Sequence, residues 1–411
     1  MANPAPVHAS PAIEPIPSDR NAAVVAGFLG WTLDAFDYFL VVYCLTAIGR
    51  EFHRSDTEMA LTITVTLAFR IFGAFLFGLM ADRYGRRLPM MINLVFYSVV
   101  EVATGFARGY TSFIILRALF GIGMGGQWGV GASLALEKVS PRFRGLVSGI
   151  LQQGYALGNM LAALCYFFLF DRWGWRPMFF LGGLPALVAL FVRLRVKESE
   201  IWQKTRKSDW SQLRRAIFSN WKLFLYLALL MTFMNFASHG TQDLYPTFLQ
   251  RFWHFDASKR SIISAIGGFG AICGGTLFGL YSDFRGRRRA IITALLLAIA
   301  MIPIWALSPN QGLLITGAFF MQFMVQGAWG VIPAHLSELS PDSVRGFLPG
   351  FAYQCGVVVS GSIVFLQARF AEHFSYATTM ALSAGVIFIG GSIVAALGRE
   401  RHGQVFGSTL T

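Results

Sequence analysis

Long apolar runs, interrupted at short intervals by clusters of charge, make up almost the whole chain. Stretches such as 88–107, 145–169 and 375–398 are nearly or wholly free of charged side chains. Each is about 20 residues or longer, enough to carry a helix across roughly 30 Å of hydrocarbon with its backbone amides satisfied internally. Segmenting the chain this way predicts twelve membrane-spanning helices, at about 22–48, 58–80, 88–107, 111–137, 145–169, 175–196, 221–247, 258–281, 289–307, 310–337, 346–369 and 375–398. The expected fold class is all-α and integral to a membrane.

Composition strengthens this expectation. Of 411 residues, 55% are hydrophobic, 13% are charged and 39 are Phe, which lies outside the usual range of soluble globular domains. A net charge of +13 would suggest nucleic acid in a soluble protein. Here the cations sit in short loops at alternate span ends, the pattern of cytoplasmic positive charge, so no nucleic-acid partner is expected. Arg83, Arg86, Arg87, Lys138, Arg142, Arg144, Lys204, Arg206, Lys207, Arg214, Arg215, Arg285, Arg287, Arg288, Arg289, Arg345, Arg399 and Arg401 all fall on one side of a twelve-span chain, with both termini beside them. Arg50, Arg54, Lys259 and Arg260 fall on the other. Cys44, Cys165, Cys273 and Cys355 lie within spans, with no zinc-type spacing, so neither a disulfide framework nor a metal or other cofactor is expected. Residues 1–20, with Pro at 4, 6, 11, 15 and 17 and no signal-type apolar core, are expected to be a disordered tail.

The chain repeats itself at an offset of 201 positions, as from Asp82 to Asp283. FGLMADRYGRR at 77–87 matches FGLYSDFRGRR at 278–288; Trp128-Gly129-Val130 matches Trp329-Gly330-Val331; Glu137, Arg144 and Gln153 match Glu338, Arg345 and Gln354. This divides the chain into a six-span unit at 21–196, a charged linker at 197–220, a second six-span unit at 221–398 and a tail at 399–411. Asp82 lies where it can pair with loop arginines or cap a neighbouring helix. Gly78, Asp82, Gly85, Arg86, Arg87, Glu137 and Arg144, with Asp283, Arg287, Glu338 and Arg345 in the second unit, are therefore candidates for a charge cluster that forms in one conformation and breaks in another.

Ionisable groups deep in the spans are costly and are candidates for function. Arg70 lies twelve residues before Asp82, roughly 18 Å along the helix and near mid-membrane. Its repeat counterpart is Ala271, and its guanidinium suits a carboxylate. Asp34 and Asp37 are expected at similar depth in the first span; their counterparts are Asn235 and Ser238. Burial favours a protonated carboxyl and a neighbouring guanidinium an ionised one, so an Asp beside Arg70 is expected either to exchange protons as an anion occupies the arginine or to form a permanent lock with it. In the seventh span Asn235, His239 and Asp243 are spaced four apart on one helix face, flanked by Ser238 and Gln242, so this span is a candidate to carry a proton relay as well as hydrogen bonds to a carboxylate.

The G-x-x-x-D-[RK]-x-G-[RK]-[RK] loop after the second span, with a degenerate copy after the eighth, resembles the signature of the major facilitator superfamily, and the resemblance covers nearly the whole chain. Residues 235–247, NFASHGTQDLYPT, resemble the N-x-x-[ST]-H-x-[ST]-Q-D-x-x-x-T pattern of the lactate/pyruvate proton symporters within the sialate:proton symporter family. The resemblance implies that Asn235, His239, Gln242 and Asp243 lie on the substrate path and take part in proton coupling, and that Arg70 binds the carboxylate. Gln354 resembles a substrate-facing glutamine of that family, followed by Val357 where relatives tend to carry Asn. Gln127, a candidate for substrate binding, stands where relatives commonly carry Glu, which leaves exchange as an alternative to coupled transport.

Arg117 resembles a superfamily position associated with proton transfer, Gln322 and Gln326 are candidates for lining the cavity, Trp128 and Trp329 are expected to pack, and Glu101 is expected at the interface. The expected function is proton-coupled symport of small monocarboxylates, lactate or pyruvate, by alternating access, driven by the proton gradient without a cofactor. The partners are the carboxylate anion, the proton and the bilayer, and the protein is expected to act as a monomer in a bacterial inner membrane. A sugar-acid carrier such as a sialic acid symporter is the alternative. A membrane enzyme would want an H-E-x-x-H, G-x-S-x-G or cysteine cluster that the sequence lacks, and a sensor would want a longer signalling domain.

Overall fold

The computed structural model describes residues 17–205 and 210–407. Among the described residues, twelve helical segments are long and apolar enough to cross a membrane: Asp19–Glu51, Glu58–Tyr84, Arg87–Gly105, Tyr110–Leu136, Pro141–Trp173, Arg176–Arg195, Trp221–Arg251, Ser258–Arg285, Arg287–Ala306, Gln311–Leu339, Leu348–Phe370 and Tyr376–Leu397. They arrange as two six-helix bundles, and each predicted span corresponds to one of them. Many run past the predicted boundaries because polar termini do not stop a helix whose end side chains reach water or a partner. Residues 17–20, expected in the tail, already belong to the first helix; the rest of that tail lies outside the described residues. The linker carries helices at Glu200–Thr205 and Trp210–Ser219, and residues 206–209 and 408–411 also lie outside the described residues.

Four spans are interrupted. The fifth breaks between Gln152 and Gly154, the sixth between Leu181 and Pro185, the seventh between Gln242 and Tyr245, and the eleventh between Ser360 and Ser362. In the seventh, Pro246 has no amide hydrogen to give and its ring crowds the carbonyl four residues back, so the regular helix stops at the polar stripe.

The repeat is obeyed in detail at the helix connections. Ser55 and Asp256, 201 positions apart, cap the second and eighth spans by accepting from the backbone N–H of Glu58 at 3.3 Å and Lys259 at 2.8 Å. His53 and His254, also 201 apart, both adopt left-handed backbone, at φ 52° and 55°. Within each bundle one helix pair approaches to backbone contact. A Cβ on Gly73 would stand 1.7 Å from the Ile122 carbonyl oxygen, and one on Gly274 would stand 1.9 Å from that of Phe323, the equivalent residue. Only glycine permits these crossings of second on fourth and eighth on tenth spans.

Between bundles, the extensive packing lies in the halves of the broken spans that start at the basic loops. The Arg144–Gln152 half of the fifth span packs on the eighth and tenth, whereas its Gly154–Trp173 half packs on the first span of its own bundle. Likewise Leu348–Ser360 meets the second and fourth spans, and Ser362–Phe370 stays with its own bundle. The halves are therefore joined chiefly toward the basic end.

Glu101 is not interfacial. It is fully buried and ion-paired with Arg117, which also donates to Thr104 Oγ1 at 2.7 Å and lies over the rings of Phe113, Phe120 and Phe179. The pair is self-contained within the first bundle, so a charge that looks exposed in a linear pattern is neutralised by one sixteen residues on.

Replacing Gly73 or Gly274 by Ala should destabilise the protein by about 1–3 kcal/mol, because the added methyl meets backbone and not a movable side chain. Thermal unfolding in detergent measures this, with Gly109→Ala, where a Cβ has nothing within 4 Å, as the neutral control.

Candidate functional site

The basic-end seal is built twice from the same parts. Asp82 accepts from the backbone N–H of Gly346 at 2.8 Å and of Phe347 at 2.9 Å, at the start of the eleventh span in the opposite bundle. Asp283 accepts from Gly145 and Leu146, each at 2.8 Å, at the start of the fifth. A helix begins with unsatisfied N–H groups and a partial positive charge, so each carboxylate finds its complement across the seam. Arg86 bridges Asp82 at 2.9 Å and Glu137 at 3.1 Å; Arg287 bridges Asp283 at 2.7 Å and Glu338 at 2.9 Å. The two glutamates reach across: Glu137 to Arg345 at 3.6 Å, Glu338 to Arg144 at 2.9 Å.

The side chains of all these groups are buried, so their charges must be matched. Burial alone would lower the Arg86 pKa, but Glu137 and Asp82 outweigh it and hold the guanidinium above its ordinary value. Gly78 lets the seam close, since a Cβ there would lie 3.0 Å from the Phe347 Cα. Gly85 turns the chain at φ +101°, a conformation that favours glycine. The backbone N–H groups of Arg86 and Arg87 donate to Glu198 at 2.9 and 3.1 Å, and those of Arg287 and Arg288 to Glu400 at 3.2 and 2.9 Å. Sequence reasoning missed these two glutamates. They repeat at an offset of 202, one step out of register with the rest.

Deeper in the membrane, Arg70 is buried and makes no ion pair among the described residues. Neither Asp34 nor Asp37 comes within ion-pair distance of it, so the permanent lock is not formed in this conformation, although Asp34 lies near enough for its charge to act on the guanidinium. Its Nη2 instead donates to the hydroxyl of Tyr353 in the opposite bundle at 3.4 Å, and its Cζ lies 5.5 Å from the centre of that ring. Tyr353 is held between the repeat-equivalent tryptophans: its ring centre is 4.8 Å from that of Trp128 and 5.7 Å from that of Trp329. The tryptophans pack, as expected, and their N–H groups donate to Gln152 Oε1 at 3.1 Å and to the Met234 carbonyl at 3.0 Å. Tyr353 went unnoticed in the sequence because a Tyr beside Gln354 carries no distinguishing pattern. Gln354 itself is buried with neither amide atom hydrogen-bonded, and all four carboxyl oxygens of Asp34 and Asp37 are buried without a partner.

On the seventh span the polar stripe divides its work. Ser238, Thr241 and Gln242 turn to the tenth span. Gln242 donates to Gln322 Oε1 at 2.9 Å, Gln322 donates to Thr241 at 3.2 Å, and Gln326 donates to Ser238 at 3.2 Å. Gly240 faces the bundle interior, where a Cβ would lie 3.2 Å from Ile387. That rotation turns His239 and Asp243 away from the bundle; they pair at 3.0 Å, and their side chains are 41% and 40% exposed. Asn235, one turn deeper, is buried and donates to the Met231 carbonyl at 2.8 Å. Gln127 lies apart from this group, between the first, third and fourth spans: its Oε1 accepts from Asn93 at 3.2 Å, and a Cβ on Gly30 would collide with its Nε2.

The arrangement is a deep cation in contact with both bundles, an exposed His–Asp pair on the seventh span and a reciprocal charge seal at the basic end. Residues 27–252 match the Major Facilitator Superfamily, and residues 224–398 match the family described as Sugar (and other) transporter. The chain belongs to the major facilitator superfamily. A carboxylic acid transporter protein homolog of Saccharomyces cerevisiae is 26% identical over 92% of this chain and 68% of its own length. A probable 4-methylmuconolactone transporter of Cupriavidus pinatubonensis is 30% identical over 86% of this chain and 85% of its own length, and the sialic acid transporter NanX of Escherichia coli is 27% identical over 90% and 94%. Among solved structures, the proton:xylose symporter XylE superposes with a TM-score of 0.77 at 19% identity, covering 95% of this chain and 98% of that one. The shared fold is that of two six-helix bundles.

Replacing Asp82 or Asp283 by Asn weakens one charge-assisted cap of about 1.5–3 kcal/mol and should raise the fraction of molecules open at the basic end about tenfold, given that Asn keeps one acceptor. Spin labels on Leu88→Cys and Arg289→Cys, exposed equivalent positions on the two bundles, report this as growth of the longer distance in pulsed electron resonance.

Proposed function

We propose that this protein is a proton-coupled symporter of small carboxylates that works by alternating access, with the basic end facing the cytoplasm. The observation that carries this reading is Arg70: a buried guanidinium that makes no ion pair among the described residues and contacts both bundles. Such a group is stabilised when an anion arrives, and an anion held there touches both halves at once. The hydroxyl of Tyr353 accepts from Arg70 and keeps its own hydrogen free, so it is placed to donate to a carboxylate. Gln354, with its amide unengaged, supplies further donors and an acceptor nearby. Asn235, Gln242 and, more remotely, Gln127 complete the candidate substrate-binding set.

Protons enter past His239 and Asp243, the exposed pair, and bind to that pair or to Asp34 and Asp37, whose oxygens have no competing protein donor. The loaded halves then rock, breaking the seal at Asp82, Asp283, Arg86, Arg287, Glu137, Glu338, Arg144 and Arg345 and opening the basic end. The relatives support a carboxylate as cargo, being named for carboxylic acids, 4-methylmuconolactone and sialic acid. Lactate or pyruvate is the finer reading, from the 235–247 motif. A second reading, flat unsaturated or ring acids, is favoured by the Trp128–Tyr353–Trp329 wall beside Arg70 and by relatives named for cis,cis-muconate and for niacin/nicotinamide.

Uptake of labelled lactate, pyruvate, muconate, nicotinate and sialic acid into proteoliposomes, with and without an inward proton gradient, tests the proposal. Gradient-stimulated uptake of one or more acids is expected; uptake of none refutes the carboxylate reading, and counterflow that ignores the gradient refutes symport. Arg70→Lys should leave folding intact and raise KM at least tenfold, since an ammonium lacks the planar fork. Tyr353→Phe keeps the ring between the tryptophans and should raise KM for the acid by about tenfold to a hundredfold, the loss of one hydrogen bond to a charged group, without lowering the melting temperature.

A further inference from the structure

Residues 400–407, after the last span, return to the seam between the bundles. Glu400 fixes the segment to the second bundle by accepting from the backbone N–H groups of Arg287 and Arg288. Gly403 and Gly407, at φ +80° and +81°, turn the chain back on itself. The ring of Phe406 then fills the space between two guanidinium groups: Arg144 Cζ lies 3.6 Å and Arg345 Cζ 3.7 Å from its centre. Those arginines are repeat equivalents, one from each bundle. The Gln404 carbonyl accepts from Arg144 Nη1 at 3.0 Å, and the Gly407 N–H donates to Asp342 Oδ2 at 3.0 Å, so the segment bonds to both halves. Phe406 is 8% exposed, buried as deeply as many residues of the spans.

Two like charges brought to a common seam repel, and an aromatic ring presents a negative face to each of them. The sandwich exists only while the fifth and eleventh spans are together, because separation of the bundles withdraws one arginine. We propose that the 400–407 segment is a strap across the basic-end gate, in which Phe406 stabilises the closed state by bridging Arg144 and Arg345 and must leave its slot before that end opens. In the first bundle the linker after the sixth span sends Trp202 to donate to the Asp82 carbonyl at 2.8 Å, and no ring held between two arginines in this way is found there among the described residues. Opening is thus restrained by a pseudo-symmetric charge seal and by one asymmetric latch. Since the latch touches no substrate group, its action is independent of which acid is carried.

The test uses the full chain with its four native cysteines replaced by Ala, spin-labelled at Leu88→Cys and Arg289→Cys, in lipid nanodiscs without substrate. Phe406→Ala should increase the population with the longer basic-end distance about tenfold relative to the parent, Phe406→Trp should keep the parent distribution, and Phe406→Leu, which fills the slot without an aromatic face, should resemble Phe406→Ala. An unchanged distribution in Phe406→Ala overturns the strap. Full restoration by Phe406→Leu overturns the cation–ring basis of the proposal. If Phe406→Ala does not fold, as judged by elution as a single species, the Leu and Trp variants decide: equal distributions in the two refute it. Because the readout is a distance without substrate, failure here leaves the carboxylate reading standing, and failure of uptake leaves this one standing.

Discussion

The closed state depends on two carboxylates, Asp82 and Asp283, lodged beneath the first backbone amides of a helix in the opposite bundle. A buried carboxylate is costly on its own, and so is a buried helix start. Brought together they satisfy each other, and the arginines and glutamates around them then have to balance what remains. The glycines at 145 and 346 follow from this need: a side chain at either place would sit where the approaching carboxylate or backbone must be. What looks in sequence like a loop motif is in structure a joint between halves.

That joint is mechanically continuous with the central site. The second span carries Arg70 and, about three turns further along, Asp82. The eleventh carries Tyr353 and, just before its first turn, the amides that Asp82 grips. Phe75 packs on Phe347 and Phe351 between these two contacts, so the pair of spans is joined from seal to site along one side. Whatever occupies Arg70 and displaces Tyr353 acts on the helix whose end is held by the seal. Coupling between site and gate then needs no chain of intermediaries, only two stiff rods in contact at two heights.

Much of this was legible in sequence. Span number, the two-unit division and the residue types gathered in the charge cluster follow from hydropathy, charge placement and a constant spacing, because membrane insertion and duplication leave regular traces; which of them pair across the bundles does not. Charge pairing inside a bundle was not legible, since it depends on helix rotation; Glu101 was therefore expected at the surface and lies in the core against Arg117. The site was half visible. Arg70, His239 and Asp243 announce themselves as ionisable groups in apolar surroundings, but Tyr353 is one tyrosine among 12, and only packing between two tryptophans distinguishes it. Glu198 and Glu400 escaped for a different reason, being shifted by one position relative to the repeat.

The reciprocity of the seam has an implication for its origin. Every bond from the first bundle to the second at Asp82, Gly346 and Glu137 is answered by one in return at Asp283, Gly145 and Glu338. Such a surface is self-complementary in the way of a two-fold dimer interface. A free six-span unit bearing the same residues would recognise another copy of itself through the same contacts. Fusion into one chain adds only the linker, and with it the freedom for Arg70 and Ala271 to diverge at matching positions.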